Sequence, residues 1–215
     1  MNKLLRYIWF GFFVRAIVTI VLGINVRNRG RLYKHEQMIV VANHNSHLDT
    51  MILMSLFGLS RIKRIRPVAA VDYFHRNRFI KWFAEQIISI VPVSRQVSGV
   101  RKDPLASCCE AIKAGDSLIL FPEGTRGDPE KLADFKAGVA HLVKRFPDIA
   151  VVPVFMHGLG KALPKGDFLI VPFFCDIFVG EEFYWKGNKG QFMQQLDAQM
   201  RSLAASGDFA NDFLD

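Results

Sequence analysis

The chain has 215 residues, half of them hydrophobic, which is long enough for one domain with a substantial core and no need of covalent staples. Its formal net charge of +8 is uneven: residues 1–107 hold 17 Lys/Arg against 5 Asp/Glu, net +12, whereas residues 108–215 hold 11 against 15, net −4. Three cysteines, Cys108, Cys109 and Cys175, have neither metal-ligand spacing nor the even count of a disulfide framework, which argues against a zinc module or a stapled secreted domain and for a reducing compartment.

Residues 7–24 are apolar apart from Arg15 and Thr19, with Lys3 and Arg6 before them and Arg27, Arg29 and Arg31 after. Arg15 splits the stretch, so neither uncharged piece reaches the roughly 18–20 residues of a spanning helix. At helical spacing Gly11, Arg15, Thr19 and Gly23 form a narrow small-and-polar stripe, with Ile8, Phe12, Phe13, Ile17, Val18, Val21 and Leu22 around the rest. This predicts a helix lying in a membrane interface, with Arg15 snorkelling or facing the protein. A cleavable signal peptide is the alternative, but Arg15 interrupts its apolar region and no Ala-x-Ala pattern follows. The expected organisation is a membrane-associated segment over residues 1–30 and a domain over residues 31–215.

The first strand, Met38–Ala42, runs through Asn43 into His44-Asn45-Ser46-His47-Leu48-Asp49, followed by a helix over residues 50–57. An alcohol is a poor nucleophile at neutral pH and needs a proton acceptor such as imidazole. A carboxylate held against the far ring nitrogen fixes the tautomer and stabilises the imidazolium, so Asp49 is the candidate orienter of His44. Five residues of regular helix turn about 500°, leaving two side chains about 140° apart, so His44 must lie in the turn before the helix. The same residues also fit an acidic capping box with Ser46 as N-cap and Asp49 at N3. His47 is read as a surface or helix-entry histidine.

Further along come a strand over 67–71 and a helix over 74–86. Around them, residues 61–66 and 73–83 mix cations with large apolar rings, which suits an anionic bilayer surface. Nucleic acid is the rival partner for such a stretch, but no helix-turn-helix, zinc-finger or ribonucleoprotein signature accompanies it. A core helix with a cationic outer face is the third option. A strand over 87–93 leads to Ser94-Arg95. A helix over 104–114 carries Cys108 and Cys109 where small apolar residues pack, and Gly115 is its expected stop. The strand over 117–121 enters Phe121-Pro122-Glu123-Gly124-Thr125-Arg126, a turn that offers a guanidinium fork, a hydroxyl and a Gly permitting close backbone approach. This is phosphate-binding chemistry; a Glu123–Arg126 ion pair in an ordinary turn is the alternative.

A helix over 129–145 carrying Lys136, a strand over 149–155, another over 168–174 and a helix over 190–204 complete the pattern, with residues 205–215 a polar, fraying end. Strands alternating with helices predict an α/β fold: a single domain with a largely parallel sheet flanked by helices, preceded by the apolar N-terminal helix. In such sheets the site lies at the carboxyl ends of the strands, where His44 and Arg126 both fall.

With both motifs in view, the chain resembles the glycerolipid acyltransferase family, the 1-acylglycerol-3-phosphate (lysophosphatidate) acyltransferases and their relatives, whose hallmark blocks are Asn-His-x-x-x-x-Asp and Phe-Pro-Glu-Gly-Thr-Arg. Ile90-Val91-Pro92-Val93-Ser94-Arg95 and Val151-Val152-Pro153-Val154 match two weaker family blocks, and the resemblance runs from about Met38 to Val154. Departures are Ser89 for the family's Gly, Ser94 for its Asp and Gly127 for the Ser after Arg126; they bear on acceptor choice more than on chemistry.

By matching position the resemblance implies that His44 is the general base and Asp49 its partner. Arg95, Glu123, Gly124, Thr125 and Arg126 fall to the acceptor site. It implies transfer of a fatty acyl group from acyl-CoA or acyl carrier protein to a hydroxyl of lysophosphatidate or a related lysophospholipid. The carrier would be a cosubstrate, with no metal and no bound cofactor, and the expected place is the cytoplasmic face of the cell membrane. Two rivals remain. A hydrolase on the same base ranks low because no Gly-x-Ser-x-Gly elbow is present. A catalytically idle phospholipid-binding scaffold would keep membrane binding without turnover.

Overall fold

The computed structural model describes residues 3–71, 77–93, 103–125, 127, 132–163 and 169–207. Seven strands form one sheet: β1 (Gly23–Arg27), β2 (Met38–Ala42), β3 (Ile65–Ala70), β4 (Val91–Val93), β5 (Ser117–Leu120), β6 (Ala150–His157) and β7 (Phe174–Val179). Their order is β1-β7-β6-β2-β5-β3-β4, and every neighbouring pair is parallel except β6 and β7. The eight α-helices among the described residues are α1 (Lys3–Ile8), α2 (Leu48–Ser55), α3 (Gly58–Ile62), α4 (Arg78–Phe83), α5 (Ala106–Lys113), α6 (Gly138–Val143), α7 (Leu159–Ala162) and α8 (Lys189–Ala205).

The central strands are apolar without interruption because both their faces are covered. In β2, Met38, Val40 and Ala42 face one core with α2 and the N-terminal helix. Ile39 and Val41 face the other, with α5, α6 and α8. This period-two division repeats in β6, where Val152 and Val154 join the first core and Val151 and Phe155 the second. The chain leaves β2 for α2 on the first face and reaches α6 on the second face after β5. Adjacent parallel strands whose connections go to opposite faces create a crevice at their carboxyl ends.

The N-terminal helix runs from α1 through wide turns at Trp9–Val14 and Ile17–Val21. Its buried positions are Arg6, Phe10, Val14 and, just past its end, Leu22, spaced by multiples of four. A regular α-helix would let that stripe drift by about 40° per step. Wider turns offset the drift and keep the stripe on the domain. Arg6 donates to Ile65 O at 2.8 Å, and Trp9 packs edge-on against Phe83 with ring centroids 4.8 Å apart, tying the helix to β3 and α4. Arg15 is exposed, which settles its two expected placements in favour of the outer side.

Several sequence expectations shift. Residues 23–27, placed in the apolar segment, form an edge strand hydrogen-bonded to β7. Of the helix expected over 129–145, residues 129–131 lie outside the described residues and the described part is helical only in α6: residues 132–137 are not helical, and Lys136 N instead donates to Pro122 O at 2.9 Å, drawing this stretch over the turn after β5. Of the strand expected over 168–174, residue 168 lies outside the described residues and 169–173 are not strand; β7 begins at Phe174, because Cys175, Ile177 and Val179 alternate into the core while most of the preceding apolar run stays exposed. The strand expected over 87–93 is reduced to Val91–Val93, with Ala84–Ile88 in a wide helical turn that continues α4.

Candidate active site

His44 lies in the loop between β2 and α2. Its Nδ1 is 2.9 Å from Asp49 Oδ2, and its ring stacks on Phe121 with centroids 4.2 Å apart. The His44 side chain is 20% exposed, whereas Asp49 is 1% exposed. Asp49 sits in the first turn of α2, and the same Oδ2 accepts the backbone N–H groups of Asn45 at 2.7 Å and Ser46 at 2.8 Å. One oxygen therefore both closes the turn and faces the imidazole. The N-cap position of α2 is His47, which is exposed, rather than Ser46. Ser46 Oγ accepts from Leu48 N and donates to Leu163 O.

An Asp49 oxygen facing Nδ1 favours the tautomer with its proton there, which leaves the lone pair on Nε2. The loop cannot drift from the sheet, because Asn43 exchanges two 2.8 Å hydrogen bonds with the backbone of Met156 on β6.

The turn after β5 is bound to the same loop. Glu123 Oε1 accepts from His44 N at 3.1 Å, and Gly127 N donates to His44 O at 3.0 Å. Gly124 has φ +75, and a Cβ there would stand 2.7 Å from Lys136 Nζ, so glycine serves both the backbone conformation and the approach of that ammonium group. Lys136 thus reaches the turn from an irregular segment, not from the helix expected for it. Thr125 is exposed. Arg95 and Arg126 lie outside the described residues.

Glu123 is 3% exposed, and burial pushes its carboxyl up to about 8. The His44 amide opposes the shift and the neighbouring Asp49 charge adds to it. Its ordinary value is near 4.5, so between the two values the folded chain keeps a proton that the unfolded chain has lost. The stabilising contribution of that proton is complete below about pH 4.5 and is lost as pH rises through about 8. Glu123→Gln should therefore flatten the fall of Tm across this interval. Calorimetry at stepped pH checks it, and parallel curves for the two proteins would mean that Glu123 is ionised in the folded state.

The Cys108 thiol, buried on α5, is pushed up to about 12 by desolvation, the opposite of an activated nucleophile. No group of three or more His, Cys, Asp or Glu among the described residues could hold a metal ion.

The acyltransferase family profile matches residues 23–157, more than half of the chain. The chain belongs to the acyltransferase family. Among the similar proteins, the chain is 35% identical over 128 residues to the chloroplastic 1-acyl-sn-glycerol-3-phosphate acyltransferase of Arabidopsis thaliana, a match covering 60% of this chain and 34% of that protein. It is 32% identical over 128 residues to the corresponding chloroplastic protein of Brassica napus, covering 60% of this chain and 35% of that one. The chain thus matches about a third of the length of these plant relatives. Its fold is that of the 1-acyl-sn-glycerophosphate acyltransferase PlsC from Thermotoga maritima, with a TM-score of 0.72 and 21% identity over 94% of this chain and 79% of that one.

Proposed function

We propose that this chain transfers a fatty acyl group from a thioester donor, acyl-CoA or acyl carrier protein, to the free hydroxyl of lysophosphatidate or a related lysophospholipid at a membrane surface. The observation that carries the reading is the His44 Nδ1–Asp49 Oδ2 contact of 2.9 Å, set in a loop that is itself bound to the Pro-Glu-Gly-Thr-Arg turn. In a direct displacement, His44 Nε2 takes the hydroxyl proton as the oxygen attacks the thioester carbonyl carbon. A tetrahedral oxyanion forms, and backbone amides near the strand ends are its candidate donors. The C–S bond then breaks, and the departing thiolate takes the proton back from His44, leaving an ester and a free thiol. Arg126 and Arg95 hold the acceptor phosphate, with Glu123, Gly124 and Thr125 shaping that end of the site. Neither a metal nor a bound cofactor takes part.

Support for the membrane comes from the N-terminal helix. Leu4–Val21 is 18 residues long with a mean hydropathy of 1.8, and only 17% of it is buried. Leu4, Ile8, Phe12, Phe13 and Ile20 are among its exposed positions. Because Phe10, Val14 and Leu22 belong to the core, deleting the segment would damage the fold, and the exposed face is the better target. Ile8→Ser/Phe12→Ser/Phe13→Ser is expected to move most of the protein from the membrane to the soluble fraction with little change in Tm. Unchanged fractionation would count against membrane docking through this face.

The proposed activity is tested by incubating the purified full chain with labelled lysophospholipids and each donor type. Acylation of lysophosphatidate or a related lysophospholipid supports it, and donor consumption without an acylated product counts against it.

A further inference from the structure

One apolar surface has no part in the site. Residues 169–174, Leu169-Ile170-Val171-Pro172-Phe173-Phe174, form an unbroken apolar run in which Ile170 packs on the core and the other five residues are exposed. Leu169 is 78% exposed and Phe174 82%. An apolar run this open to water marks an interaction surface more often than an accident of folding.

Its neighbours say what it meets. Phe173 O accepts from Gly23 N, and the Phe174 ring lies so close to Gly23 that a Cβ there would come within 2.5 Å. The run therefore abuts the end of the N-terminal helix, where Ile20 is 82% exposed. On its other side, Val171 N donates to Ala162 O at the end of α7. The next residue, Leu163, accepts from Ser46 Oγ in the His44–Asp49 loop. The run contains no charge, and Lys161 Nζ stands 5.9 Å from the Phe173 ring centroid at its rim. Aromatic and aliphatic side chains bordered by a cation match the boundary of an anionic bilayer.

We propose that residues 169–174 insert into the lipid bilayer as a second membrane contact beside the N-terminal helix, placing the mouth of the His44–Asp49 site at the lipid surface. This rests on the lipid-acyltransferase reading above. A lysophospholipid then reaches His44 along the bilayer surface without passing through water. Bilayer contact is favoured over a second copy of the chain because the run adjoins the end of a mostly exposed helix that is itself long and apolar enough for lipid.

The test uses the full chain and vesicles of phosphatidylcholine and phosphatidylglycerol in a roughly 7:3 ratio, anionic enough to engage the bordering cation. Leu169→Asp/Phe174→Asp is expected to lower partitioning by at least about tenfold, and Phe174→Leu by less than about twofold. Tyr184→Asp, at an exposed aromatic outside the run, is expected to leave partitioning unchanged. Leu169→Trp, a mild change, should gain fluorescence that brominated lipids quench beyond the wild-type background, and this readout stands even if the double variant does not fold. Added fluorescence in the Leu169→Trp protein that is insensitive to brominated lipid overturns the proposal, as does wild-type partitioning of a folded double variant. So does a wild-type dimer that the double variant makes monomeric without changing partitioning. Turnover of a short-chain, monomeric lysophosphatidate without vesicles separates the two readings: its absence in the wild type removes the proposed activity, while quenching still decides insertion.

Discussion

His44→Ala is expected to remove nearly all acyl transfer, and Asp49→Asn to lower the rate by a factor on the order of 10²–10⁴. The geometry sets the two apart. Alanine at 44 removes the proton acceptor itself, whereas asparagine at 49 leaves the imidazole in place but no longer favours the tautomer that keeps Nε2 unprotonated. Asp49 Oδ2 also accepts the amides of Asn45 and Ser46, so some loss of Tm should accompany the loss of rate. Initial rates and melting curves on the same preparations separate the contributions. A rate reduced less than about twofold with a lowered Tm would leave Asp49 only its capping role.

Arg126→Ala is expected to raise the acceptor KM strongly and to lower kcat to some degree, with little effect on the donor KM. A guanidinium grips a phosphate through two parallel hydrogen bonds and so fixes where the hydroxyl lies relative to His44. A neutral thioester carbonyl offers no such dianion. Arg126→Lys should fall between wild type and alanine, because it restores charge without the planar fork. Gly127, whose amide donates to His44 O, and Glu123, which accepts from His44 N, tie the chain on both sides of position 126 to the backbone of His44. Initial rates against each substrate for all three proteins decide it, and a defect confined to the donor KM would move Arg126 to the carrier side.

The central strands were legible because burial on both faces leaves an unmistakable apolar run, as in Met38–Ala42. The His44–Asp49 pairing was legible from spacing, since a regular helix forbids it and a turn followed by a helix allows it. What the sequence hid was set by long-range contacts. Gly23–Arg27 reads as the tail of an apolar helix and its cationic flank, and only pairing with β7 makes it a strand. The stretch 132–137 has helical composition, but the bond from Lys136 N to Pro122 O holds it over the turn after β5. Residues 169–173 look like a strand by hydrophobicity, yet the core takes its alternating side chains from Cys175, Ile177 and Val179. The raised pKa of Glu123 depends on burial between two loops distant in sequence, which no local pattern announces.

The most direct test of the proposed chemistry is a single-turnover reaction of the purified chain with labelled acyl donor and lysophosphatidate, resolving ester product, free fatty acid and any acylated protein. The account predicts that label passes to the acceptor hydroxyl as free thiol appears in equal amount, with no acyl-protein and no burst, and that His44→Ala abolishes both. Release of fatty acid in place of the ester, or turnover that survives His44→Ala, would contradict it.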